Sequence, residues 1–161
     1  MLTALDQNMA FDALKALLGT DRVSTGSSDR ELHSRDQSTH ASHLPDLVVW
    51  PDSTEQVSRL AAFANENRIP LTGWGMGSSL EGNPIPICGG IVVDFSRMNR
   101  ILEVYVDDFQ IKVQPGILYK DMNQILAKYG LFFAPDPGAN ASIGGMIANN
   151  AAGTRTWKSS T

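Results

Sequence analysis

The chain has 161 residues, with 14 glycines, 8 prolines and a formal net charge of −4 from 13 basic and 17 acidic side chains. Domains run to roughly 100–200 residues, so this length holds one compact domain and excludes a cofactor domain plus a separate substrate domain. A hydrophobic share of 42% excludes a disordered chain, and a pI of about 5.2 leaves no footprint for nucleic acid. No apolar run reaches the roughly 18 residues of a transmembrane segment. Met1 to Ala10 lacks the basic-then-apolar pattern of a leader, so the expected location is cytoplasmic or peripheral to a membrane. The lone Cys88 excludes an internal disulfide framework and a cysteine-based zinc site.

Met9, Phe11, Leu14, Leu17 and Leu18 recur at helical spacing before Gly19, which predicts a short amphipathic helix. Ser24 to His43 is almost wholly polar, carries His33, His40 and His43, and reads as loop or extended chain. The apolar run Leu47 to Trp50, closed by Pro51, reads as a strand covered on both faces. Ser53 and Gln56 have capping-box spacing, with Asp52 a competing cap, and Val57, Leu60, Ala61 and Ala64 form the stripe of the helix that follows. Ile69 to Thr72 reads as a second strand, completing a parallel βαβ unit. Gly90 to Phe95 reads as a strand, and Ile101 to Val106 with Gln110 to Val113 as a hairpin. A helix is expected from Leu118 to Tyr129, stopped by Gly130, followed by a rigid turn at Pro135–Gly138. Ser142 would cap a last helix over Ile143 to Ala152.

Twelve of the fourteen glycines lie between Gly73 and Gly153. The densest run is Gly73-Trp74-Gly75-Met76-Gly77-Ser78-Ser79-Leu80, directly after a strand. Glycines spaced this way let successive N–H groups turn inward as a nest for an anion such as pyrophosphate, with Ser78 and Ser79 adding hydroxyls. The Lys of a P-loop is missing after Gly82, and Leu80 with Pro84 and Pro86 breaks a Rossmann fingerprint. The alternative is a glycine-rich surface loop that binds nothing. A second candidate is Pro135 to Gly153, whose one charge is Asp136. Ser142, Ile143, Gly144 and Gly145 would open its helix with no bulk at the N-terminus, leaving free N–H groups for something flat or anionic. The alternative there is a tight helix-packing seam.

Other residues point less clearly to chemistry. The three histidines lack carboxylate spacing for a metal and read as exposed and idle. Cys88 reads as a small buried apolar residue, and Arg97 with Arg100 as a solvated turn. Trp74 could stack on a ring or cover its own loop. Asp136 suits turn hydrogen bonds. No pair forms a general acid and base, so no catalytic or metal-binding residue is assigned.

Taken together, Pro45–Pro51, Gly75–Gly82, Gly89–Leu102, Val113–Gly116 and Asp136–Asn150 resemble, in order, the FAD-binding domain of the vanillyl-alcohol oxidase/PCMH flavoproteins. The branch most similar contains D-lactate dehydrogenase (cytochrome) and the glycolate oxidase FAD subunit. The resemblance implies an α/β (α+β) PCMH-type domain: a small parallel βαβ subdomain, then a mixed or antiparallel sheet subdomain. It implies FAD as cofactor, with pyrophosphate in Gly73 to Leu80. Pro135, Asp136, Pro137 and Gly138, together with Ser142, Ile143, Gly144, Gly145, Ala148, Asn150 and Gly153, would line the isoalloxazine and ribityl part. It further implies oxidation of a 2-hydroxy acid through flavin N5, with electrons passed to a quinone, cytochrome or partner subunit.

The sequence departs from that family after Gly153-Thr154, where Trp157-Lys158-Ser159-Ser160 replaces the usual Lys-Tyr-Gly continuation. The later flavin strands, the substrate-capping domain and the downstream His and Arg residues have no counterpart. The expectation is therefore an N-terminal fragment: a helix and polar loop over 1–44 and a truncated FAD-binding domain over 45–161, inactive alone. It would take its small-molecule substrate only in a full-length enzyme, and an incomplete sheet would favour self-association or a partner chain. The rival expectation is a catalytically silent remnant or interaction module without flavin. A domain for another anionic nucleotide is the third.

Overall fold

A computed structural model describes residues 4–153, with side chains from residue 8 onward. Thr154 to Thr161, including the divergent Trp157–Ser160, lie outside the described residues. The chain forms two compact units, Met1–Arg97 and Met98–Thr161.

The first unit opens with α1 (Ala4–Leu18), which begins before the expected Met9. Its Ala10, Leu14 and Leu18 are buried at a spacing of four, whereas Met9 is exposed. Gly19 turns the chain at φ 106°, a value that side chains disfavour. Strand β1 (Val23–Ser24) and a short helix, α2 (Ser27–Leu32), follow within the stretch expected to be loop. That helix has no apolar period because its anchors are polar: Arg30 Nε donates to the Pro45 carbonyl at 2.7 Å, and His33 at its end is buried.

Strands β2 (Leu47–Val49) and β4 (Ile91–Asp94) are buried along their whole length, as continuous apolar runs of a sheet covered on both faces should be. Between them come α3 (Thr54–Glu66) and β3 (Leu71–Trp74). Ser53 caps α3 by accepting from the Gln56 N–H. The return arm of the box is displaced, since the Gln56 side chain accepts from Asp52 N–H and the Asp52 carboxylate pairs with Arg22. Leu60 and Ala64 face the core with Phe63, and Ala61, expected in the stripe, is exposed. The second strand starts two residues later than expected. Ile69 N–H bonds back to the Ala64 carbonyl at 2.8 Å while Arg68 sits at φ 54°, so the helix exit consumes Ile69 and Pro70.

Sheet order is β1-β2-β4-β3. β2 and β3 both run parallel to β4, with Leu47 and Leu71 flanking Ile91, so the two strands of the expected βαβ unit share a direction with β4 inserted between them. β1 adds an antiparallel edge. Ala10, Leu14, Leu18 and Val23 join Leu47, Val49, Leu60, Ile91 and Val93 in one core, so the N-terminal segment is part of the same packing unit as the sheet.

In the second unit, β5 (Ile101–Tyr105) and β6 (Gln110–Val113) pair antiparallel as expected. Helix α4 (Tyr119–Leu126) tightens through Tyr129 and stops at Gly130, φ 70°. The last helix, α5, is only Ile143–Ala148, because Ala151 N–H bonds to the Met146 carbonyl and Asn150 turns to φ 47°. An isolated two-stranded ribbon is marginal in water. Ile101, Val104, Ile111 and Val113 supply the missing stabilisation by packing on Ile117, Met122, Leu126, Ile143 and Met146.

Candidate functional site

The glycine-rich run divides into strand and loop. Gly73 and Trp74 belong to β3, and the loop proper begins at Gly75. Trp74 is 7% exposed, and its ring lies beneath Gly77. A Cβ on Gly77, which adopts φ 61°, would stand 2.5 Å from Trp74 Cζ2. Trp74 therefore covers the loop from below. At the loop's far end Gly82, φ 75°, donates its N–H to Asp36 Oδ2 at 2.8 Å, and the His40 ring fills the space that a side chain there would need. Between these anchors, the N–H groups of Gly75, Met76, Gly77, Ser78, Ser79 and Leu80 donate to no group among the described residues. Six consecutive unspoken-for amides, half-buried at Gly75, Ser78 and Ser79, form a donor set for an oxyanion.

Beneath the loop lies a polar core that sequence reasoning missed. His33, expected to be exposed and idle, is 1% exposed. Its Nδ1 donates to the Asp29 carbonyl at 2.7 Å, Nε2 lies 3.0 Å from Asp94 Oδ2, and the ring centroid is 4.7 Å from that of Trp74. Asp94 also accepts from Trp50 Nε1 at 2.8 Å and from Ser96 N–H at 2.7 Å. Burial pushes the Asp94 carboxyl up, but hydrogen bonds from His33, Ser96 and Trp50 outweigh it and hold the group below the usual carboxylate range. His40 is exposed, as expected, yet it packs on Gly82, while His43 is exposed. A signal was present: Trp50 directly follows one buried strand and Asp94 ends another, where a polar side chain needs a partner.

In the second unit, Asp136 organises the other candidate segment. Its Oδ1 accepts from the Tyr119 hydroxyl at 2.6 Å and from Gly138 N–H at 3.1 Å, the turn bond expected of it. Pro135 to Pro137 run without a turn and the bend starts at Gly138, φ 88°. The Gly153 backbone passes so close to the Asp136 backbone that a Cβ would overlap it, which brings Gly153 to Pro135–Gly138. An open groove of about 550 Å³ beside them is lined by Tyr119, Lys120, Asn123, Gln124, Asp136 and Gly138.

The free N–H groups expected at the start of α5 are already used. Ile143 N–H donates to the Ile117 carbonyl and Gly144 N–H to the Pro115 carbonyl, while Gly145 N–H donates to Ser142 Oγ at 3.3 Å. A Cβ on Gly144 would stand 2.7 Å from Pro115 Cβ. Gly144 thus serves a close packing seam, and Ala148 and Asn150 are exposed at the far end of the helix. Cys88, expected to be buried, is exposed. Arg97 reaches Asp21 at 3.4 Å, and Arg100 Nε donates to Gln114 Oε1 at 3.2 Å.

A loop of this kind, with amide donors and no cation, is a candidate site for an anionic oxygen group. A family model described as an FAD binding domain matches residues 45–160. A curated relative from Danio rerio, "Probable D-lactate dehydrogenase, mitochondrial", is 39% identical over 142 residues, which are 88% of this chain and 29% of the relative. "Glycolate oxidase subunit GlcD" from Bacillus subtilis is 34% identical over 87% of this chain and 30% of its own length. A crystal structure of p-cresol methylhydroxylase with substrate bound superposes with a TM-score of 0.72 at 25% identity, over 83% of this chain and 28% of that one. The chain spans about 29% of the length of the first of these relatives. Among the described residues, no helix is long and apolar enough to cross a membrane.

Proposed function

The chain belongs to the FAD binding domain family, and from that premise we propose that it serves the oxidation of a 2-hydroxy acid of the D-lactate or glycolate type to the 2-oxo acid. When bound, FAD supplies the hydride acceptor, at N5 of the flavin. Gly75 to Leu80 hold its pyrophosphate through backbone N–H groups, with Gly73 and Trp74 leading into the loop. The single observation that carries this reading is the run of six consecutive amides without an acceptor in a loop anchored at both ends.

Pro135 to Gly138, Ser142, Ile143, Gly145, Ala148, Asn150 and Gly153 are assigned to the flavin ring and ribityl chain. With their first N–H groups occupied, the residues opening α5 would act by close approach of small surface, and Gly144 by packing on Pro115. The names of the Danio rerio and Bacillus subtilis relatives each contain a 2-hydroxy acid, which supports that substrate class. The 161 residues by themselves are proposed to carry no turnover, because most of each relative's length has no counterpart in them. Pairing of another strand or a second chain with β5 or β6 is proposed too, since among the described residues these strands pair only with each other.

Titration of the purified chain with FAD, followed by flavin fluorescence, tests the binding claim. Saturable quenching or enhancement at one equivalent is expected. A colourless protein with unchanged flavin fluorescence would overturn it and favour a silent remnant. Competition by ADP without any flavin signal would favour another nucleotide.

A further inference from the structure

The residues that shape the glycine loop at its far end lie before residue 45, outside the segment matched to the FAD binding domain. Asp36 is 7% exposed. One of its oxygens accepts from Gly82 N–H at 2.8 Å, and the other from Ser38 N–H at 2.9 Å. The Ser79 hydroxyl lies near enough to the same carboxylate to help lower its pKa. Next to it, Gln37 N–H donates to the Ser79 carbonyl at 3.0 Å, so the two chain segments are stitched by both side-chain and backbone bonds. The His40 ring closes over Gly82. His43 N–H returns to the Ser34 carbonyl at 2.9 Å, making residues 34–43 a closed loop of their own that holds these groups in place. Burial pushes the Asp36 carboxyl up, and its bonds to Ser38 and Gly82, with the Ser79 hydroxyl, bring it below the usual range, so the group that does the stitching is the carboxylate.

We propose that Asp36 is a positioning residue for the dinucleotide site: by fixing Ser79 and Gly82 it holds the amides of Gly75–Leu80 ready for pyrophosphate before the cofactor arrives. The proposal rests on the reading of that loop as the pyrophosphate site. Asp36 lends no donor to the ligand, and its own charge opposes an anion. Its contribution is order: a flexible loop would have to lose conformational freedom on binding, and a stitched one has lost it already.

The test uses the full chain with Asp36→Ala and Asp36→Asn. Two quantities are read: the FAD dissociation constant, and the backbone amide NMR order parameters of residues 75–82 without ligand, which report order at N–H groups that have no hydrogen bond. Asp36→Ala should weaken FAD binding by about tenfold or more, the factor carried by one charge-assisted hydrogen bond. The order parameters over residues 75–82 should fall from the rigid-backbone value of about 0.85 to about 0.6 or below, with far-UV circular dichroism unchanged. Asp36→Asn keeps one acceptor oxygen of the two and should fall between Ala and the parent chain, and it carries the test if the Ala variant fails to fold. Order parameters in both variants equal to those of the parent would overturn the positioning role whatever happens to FAD. Lowered order with undiminished FAD affinity would also overturn it. A parent chain that binds no FAD overturns the pyrophosphate reading instead, and the order parameters still decide whether Asp36 orders the loop.

Discussion

Gly77→Ala puts the loop geometry to a quantitative test. Two costs are legible at this position. An L-residue at φ 61° sits in the left-handed region, at about 1 kcal/mol. The new methyl would also stand 2.5 Å from Trp74 Cζ2 and 3.0 Å from Cη2, where carbons in contact keep about 3.5–4.0 Å. Trp74 has little room to yield: it packs on Val48 and Val92 from one side and tilts against the His33 ring at 4.7 Å. Overpacking of this kind costs about 1–3 kcal/mol, which brings the total to about 2–4 kcal/mol. Gly130→Ala isolates the backbone cost, since Gly130 has φ 70° and a Cβ there would meet nothing within 4 Å. Urea unfolding monitored by tryptophan fluorescence measures both variants. Gly77→Ala should lose about 1–3 kcal/mol more than Gly130→Ala, and FAD affinity should fall only in the former. Equal losses would show that Trp74 does not wedge the loop and would refute the argument that it shapes the amide run.

Asp94→Ala leaves His33 Nε2 and Trp50 Nε1 without their acceptor and should cost about 2–4 kcal/mol in the same assay. Because the Asp94 carboxyl lies below its ordinary value, its stabilisation is complete above the unfolded value near pH 4 and is lost as pH falls through the folded one; Asp94→Asn should flatten that acid branch in pH-dependent melting curves. Gly144→Ala drives a methyl into Pro115 and should destabilise the chain by about 1–3 kcal/mol, whereas lost FAD affinity at unchanged stability would place a ligand there instead. Tyr119→Phe removes the 2.6 Å bond to Asp136 and should cost about 1–3 kcal/mol in urea unfolding, the range for a bond to a charged group, with no loss counting against a structural role for that bond. Cys88 should react with a thiol reagent in the folded chain at one equivalent, and protection would contradict its exposure.

Features that follow from local periodicity and capping were readable in the sequence. The buried runs Leu47–Val49 and Ile91–Asp94, the Ser53 cap, the β5–β6 hairpin and the Gly130 stop depend on neighbours a few residues away. The glycine loop was readable for the same reason, since Gly77 and Gly82 mark positions where side chains do not fit. What escaped is decided by distant partners. His33 looked idle because its acceptor, Asp94, lies 61 residues on, and nothing in the polar stretch read as loop marked Asp36, because Gly82 lies 46 residues on. Helix α2 carries no apolar stripe, so no periodic signal could show it. At the start of α5 the misreading has a different cause. Ser142 was recognised as a cap, but the carbonyls of Pro115 and Ile117 that take the next N–H groups come from the segment before α4.

The absence of cations from the loop gives these distant partners their weight. Gly75 to Gly82 contain Glu81 and no Lys or Arg, Asp36 lies against Gly82, and the chain carries a net −4. A lysine in such a loop attracts phosphate as a point charge over several ångströms and in many orientations, so it tolerates some disorder. Amide dipoles act only at hydrogen-bond range and only when aimed, and here they must also overcome nearby carboxylates. On the proposed pyrophosphate reading, affinity in this loop therefore depends on how well six N–H groups are oriented before the anion arrives. That orientation is held by Trp74 at one end and by Asp36 with His40 at the other. Two of these three anchors, Asp36 and His40, lie before the matched FAD-binding segment, so on the proposed pyrophosphate reading the loop of residues 34–43 would help to build the cofactor site.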